Sequence, residues 1–129
     1  MLYAILAYHV EGTITALTPE EDSALMNHLI EINARLHAEG KLGPAARLDH
    51  TESAVTLRGS ATSPITDGPF AETKEQLLGL YLVNCDSLDE AVAIAREFKT
   101  VNRTAVYKIR PVTYFQPGIS LTAESEAAE

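Results

Sequence analysis

Cysteine occurs once in this 129-residue chain, at Cys85. That excludes an intrachain disulfide and a thiolate zinc cage. Long apolar runs are also missing: the longest stay under about ten residues, against the roughly 20 needed to cross a bilayer. Basic residues are scarce, with 10 Lys and Arg against 18 Asp and Glu for a net charge of −8. Without a basic cluster the chain is a poor partner for nucleic acid or an anionic membrane surface, and neither is expected. Seven glycines and six prolines are too few for a collagen-like or low-complexity chain. What is there is 46% apolar and 22% charged, the composition of one globular domain that can bury roughly two thirds of its unfolded surface. Met1–Val10 has no basic region of the kind that opens an export signal. With a lone thiol, this sets a cytoplasmic expectation.

The apolar segment Leu2–His9 reads as a strand covered on both faces. Thr18, Pro19 and Glu21 form a helix start, with the cap, the residue favoured at the first helical position and a capping-box partner. Leu25, Leu29, Ile32 and Leu36 then give one apolar stripe, and Gly40 stops the helix. Gly43–Thr51 reads as irregular, and Ser53–Arg58 as the next strand. Pro64 limits Thr62–Thr66 to an edge or broken strand, and Asp67-Gly68-Pro69 marks a turn. Leu77–Cys85 is a central strand. Ser87 and Glu90 open a second helix with Leu88, Ala91, Val92, Ala95 and Phe98 inward, and Thr104–Val112 closes the set.

The order β-α-β-β-α-β predicts an α+β, ferredoxin-like fold with two helices on one face of an antiparallel sheet. Residues 1–117 form the domain, and 118–129 an acidic tail without apolar periodicity. Helices cover only one sheet face, yet Leu2–His9 and Leu77–Cys85 are apolar on both. A second copy of the chain is the simplest cover, so the expectation is a homodimer with a cleft for a small molecule.

The stretch Thr66-Asp67-Gly68-Pro69-Phe70-Ala71-Glu72-Thr73-Lys74-Glu75-Gln76-Leu77 resembles the DGPF signature of the YCII-related protein family. Gly40, Ser53–Arg58, Ser87–Ala91 and Arg110-Pro111-Val112 follow in that family's order, so the likeness covers nearly the whole domain. The resemblance implies a dimeric α+β barrel. It also implies one of two roles. One is cofactor-free acid–base chemistry of the lyase or isomerase kind on a small polar molecule. The other is a non-catalytic ligand-binding or regulatory module associated with sigma factors. The chain departs from the family at Leu78-Gly79-Leu80-Tyr81, where Gly-Gly-Tyr-Tyr is usual, and at Lys108, where an acid is common.

Candidate residues follow from their chemistry. Asp67 is either a turn residue or a general acid or base, and the enzyme reading places it in a pocket with Tyr8 or His9 within about 3 Å. His9 is the natural proton carrier near neutral pH, and because it adjoins Tyr8 on a strand, at most one of them enters a given cavity. Phe70, Glu72, Lys74 and Arg47 are the candidate substrate contacts, set against the plainer roles of turn anchor and solvated charges. His28 and His37 lie nine apart on the first helix, on opposite sides, and cannot share a metal. With no metal-ligand spacing and no glycine-rich phosphate loop, neither metal nor cofactor is expected. Cys85 reads as an inert buried thiol.

Overall fold

The computed structural model describes residues 1–10, 12–14, 16–68 and 75–121. In chain order the elements are β1 (Leu2–Val10), α1 (Pro19–Ala38), β2 (Leu42–Arg47), a 3-10 turn (Thr51–Ser53), β3 (Val55–Leu57), β4 (Ile65–Asp67), β5 (Glu75–Asn84), α2 (Leu88–Val101) and β6 (Val106–Pro111). Four strands form one antiparallel sheet in the order β2-β5-β1-β6. This is the ferredoxin-like βαββαβ arrangement. Among the described residues β3 and β4 pair only with each other, as a separate two-stranded ribbon. No described helix is long and apolar enough to cross a membrane.

Local chemistry accounts for the helices. Thr18 Oγ1 accepts from the Glu21 N–H, and the Glu21 carboxylate accepts from the Thr18 N–H, so both halves of the capping box are present. At the other end Gly40, at φ +74°, bonds back to His37, and Lys41 bonds back to Leu36, which closes a Schellman motif. α2 begins differently. Ser87 accepts from Glu90 N–H, but the Glu90 carboxylate reaches past the cap to Asp86 N–H.

Two expectations about the strands are corrected. The second strand of the sheet is Leu42–Arg47, most of which falls in the expected irregular segment Gly43–Thr51, and Ser53–Arg58 supplies only the short β3 of the ribbon. Gly43 and Pro44 hide β2 in the sequence, and the β2–β5 register shifts between Leu42 and Ala45 around them. An edge strand tolerates such a break, because its outer side has no ladder to lose. The inward face of α2 is also corrected: Leu88 is exposed, and Ile94 joins Ala91, Ala95 and Phe98 in the core.

β1 alternates between its two faces, with Tyr3, Ile5, Ala7 and His9 buried toward the helices. Rows of residues run across the sheet beneath the helices. Ile109, Ile5, Tyr81 and Ala45 form one row. Phe98 from α2 lies on it, stacked on Tyr81 at a centroid distance of 4.2 Å. The next row is Tyr107, Ala7, Gly79 and Arg47. Its two central members have almost no side chain, so the sheet leaves a hollow under α1 there.

Candidate functional site

That hollow is a cavity of about 170 Å³. Ala7 and Gly79 lie in its floor, Leu25, Met26 and Leu29 of α1 line it, and His9, Arg47, Asn33 and Asn102 supply its polar groups. Its size is on the order of one six-membered ring. Gly79 also suits the close strand spacing. A Cβ there would come within 3.1 Å of the Ala46 carbonyl oxygen, a contact tighter than side chains normally make.

A bulge places the chemistry beside this hollow. Ala7 pairs with Gly79 and Tyr8 with Leu77, so Leu78 is the extra residue. The shift brings Gln76 opposite His9, and both are buried. His9 is 3% exposed. Its Nε2 is 3.3 Å from Asn102 Nδ2, and its Nδ1 is 3.4 Å from Thr104 Oγ1. With the amide as donor, Nε2 is the bare nitrogen and the ring proton sits on Nδ1. Asn102 Nδ2 also donates to the Tyr107 hydroxyl at 3.3 Å. Burial, followed by the positive charges of Arg47 and Lys99, holds the His9 pKa below its ordinary 6.5. The ring is therefore neutral at pH 7. Burial likewise raises the Tyr107 and Tyr81 hydroxyls, keeping both protonated.

Arg47 ends β2 and points to the same side of the sheet. Its Nη2 donates to Asp22 Oδ1 at 2.7 Å and its Nη1 to Asp22 Oδ2 at 3.2 Å, so the first turn of α1 holds the guanidinium at the cavity mouth. That bond also lowers the Asp22 pKa. The Asn33 Oδ1 is buried with no hydrogen-bond partner among the described residues.

Of the candidates, His9 and Arg47 are brought to one cavity. Tyr8 lies on the opposite face of β1, between Leu77 and Val106. Asp67 is exposed in β4 across from Val55, and neither it nor Tyr8 lines a cavity that contains His9. Beside Asp67, Gly68, at φ +89°, donates its N–H to the Ala54 carbonyl at 2.7 Å, and the Gly68 carbonyl accepts from Thr56 Oγ1, both across the ribbon; the rest of the expected turn, from residue 69, lies outside the described residues. Phe70, Glu72 and Lys74 lie outside the described residues. His28 and His37 are both exposed on α1. Cys85 is buried, and burial pushes its thiol pKa up, as an inert thiol requires.

Sequence reading missed Asn33, Asn102 and Thr104. Nothing in their local pattern marks them, because their role comes from the packing of α1 and α2 against β1. One signal was available: Gly79 inside an apolar strand points to a bulge or a close backbone approach.

An uncharacterized protein of Rhizobium meliloti (strain 1021) is 49% identical over 120 residues, spanning 92% of this chain and 97% of the relative. The model of the YCII-related domain matches residues 1–116, from β1 through β6. The chain belongs to the YCII-related family.

Proposed function

We propose that the cavity binds a small carboxylic acid and that His9 acts on it as a general base. The observation that carries this is a buried, neutral imidazole that shares one cavity with an ion-paired arginine. Among the described residues, the charges acting on His9 are both positive, Arg47 and Lys99. An imidazolium formed there is unfavourable unless negative charge enters with the ligand. A carboxylate held by the Arg47 N–H groups that Asp22 does not engage supplies that charge and places the adjacent carbon at the ring. The two His9 hydrogen bonds are long, so a substrate proton can replace one of them at little cost. The acid–base role thus moves from Asp67 to His9, and the reaction class is proton abstraction beside a carboxylate.

The test is exchange of the carbon-bound protons of small carboxylic acids in D2O, followed by NMR. Exchange catalysed by the wild type and lost in His9→Gln, with binding retained, supports the base. Exchange that survives His9→Gln unchanged overturns it.

A homodimer belongs to the same proposal. Leu6, Leu80 and Leu82 face away from the helices and are only partly covered by their own chain. A monomer by sedimentation at micromolar concentration removes it. The alternative, a non-catalytic module docking on a protein partner, is favoured by the β3–β4 ribbon. Its Val55, Leu57 and Ile65 share one face and are each more than half exposed. Acid binding without any proton exchange selects that reading.

A further inference from the structure

The hollow beneath α1 does not stand alone. A second cavity of about 210 Å³ adjoins it, with His50, Thr51, Glu52 and Gln76 in its wall. A third, of about 340 Å³, is lined by Asp22, Arg47, Asp49 and His50. Ile14 and Leu78 line all three. His9 is common to the inner and second cavities, and Arg47 to the inner and third. Leu78 is the bulge residue, and its carbonyl oxygen accepts from Leu48 N–H at 2.9 Å, which fixes it between β5 and the chain leaving β2.

The inner and second compartments therefore share His9, Ile14 and Leu78, with Arg47 at the inner one. Their chemistry differs. The inner wall is mostly apolar, whereas the second compartment offers the Glu52 carboxylate, the Gln76 amide and the Thr51 hydroxyl. We propose that this second compartment is a substrate subsite, and that the ligand is an elongated acid. Its carboxylate lies on Arg47, its reacting carbon faces His9, and its far end carries a hydrogen-bond donor, a hydroxyl or an amine, received by Glu52 in the wall it shares with Gln76. Ile14 and Leu78, which line both compartments, flank the chain between its two ends.

This inference rests on the carboxylate reading of Arg47, and one experiment separates the two. Hexanoate, 6-hydroxyhexanoate and 6-aminohexanoate share a carboxylate and a chain length and differ at the far end. Their dissociation constants are measured by calorimetry on the wild type, Glu52→Gln and Gln76→Ala, with acetate reporting the Arg47 end alone. Glu52 is exposed, so its substitution leaves the fold intact, and circular dichroism checks both variants.

The expected result is that at least one donor-bearing acid binds about tenfold tighter than hexanoate, the advantage of one charge-assisted hydrogen bond. That ratio falls toward one in Glu52→Gln. A tighter amine with an unchanged hydroxyl identifies an ammonium ligand, and the reverse a hydroxyl ligand. Equal affinity of all three acids overturns the subsite while leaving the Arg47 reading standing. A preference that survives both substitutions places the donor elsewhere and also overturns the subsite. Failure of every acid, acetate included, overturns both proposals.

Discussion

Asn102, the residue that closes α2, hydrogen-bonds His9, the ninth residue of the chain, across a sequence separation of 93. The contact fixes the imidazole in a buried setting and carries a pH consequence. Because the folded-state pKa of His9 lies below 6.5, the unfolded chain binds the proton more readily. The contribution of His9 to stability is full above about pH 6.5 and is lost as pH falls through the folded pKa. Urea midpoints of the wild type should therefore decline from about pH 7 toward about pH 5, and His9→Gln should flatten that slope. Parallel curves for the two proteins would assign the decline to other groups.

Removing the Arg47 charge should act on the same ring. Arg47 lowers the His9 pKa through its charge, so Arg47→Gln should move the His9 titration to higher pH, as followed by NMR of the ring protons. No movement would place the guanidinium outside electrostatic reach of the imidazole.

The Asp22–Arg47 pair should matter little to stability. Both side chains are more than a third exposed, and solvent screens such pairs to about 1 kcal/mol or less. Asp22→Asn should unfold within that margin of the wild type. It should also weaken acid binding, because the guanidinium loses its bidentate tether. A loss of several kcal/mol would mark the pair as a structural clamp.

Gly79→Ala tests the origin of the cavity. Its new methyl meets the Ala46 carbonyl oxygen at 3.1 Å and enters the hollow floor, so β2 or β5 has to shift. The expected cost is about 1–3 kcal/mol by chemical denaturation, with reduced acid binding. Unchanged binding would place the ligand away from that floor.

Phe98→Ala probes the core that supports the site. Phe98 is fully buried, stacked on Tyr81 and tilted against Tyr107 at 6.0 Å. Truncation should cost about 3–5 kcal/mol, and a much smaller loss in denaturant titration would mean that the surrounding side chains close the gap.

Much of the fold was legible in the sequence because its signals are local. Thr18 with Glu21, and Gly40, act within one turn of chain, and the structure shows the interactions expected of them. Periodicity identified Leu29, Leu36 and Phe98 as inward, since a helix face is set by spacing alone. Leu42–Arg47 was not legible, because an edge strand is defined by its partner, and Gly43 and Pro44 carry the local marks of a loop. Leu88 failed for a related reason: helical periodicity gives a stripe but not how far a first-turn residue reaches beyond the sheet edge.

The candidate site divides in the same way. Residue chemistry offered His9 and Arg47 among a wider set headed by Asp67, and strand alternation said that at most one of Tyr8 and His9 enters a given cavity, without saying which. Which cavity received them depended on contacts between distant segments. Ala7 and Gly79 had to meet across two strands for a hollow to form. The bulge at Leu78 had to rephase β5 so that Gln76 came opposite His9. Asn102 and Thr104 had to return from the far end of α2 to hold the ring. The sequence by itself determined both helices, the strands β1, β5 and β6 and the chemical types at hand, because capping, periodicity and charge act over a few residues. The tertiary structure alone decided which small side chains would face each other, and so where the sheet is left unfilled and which histidine stands beside that space.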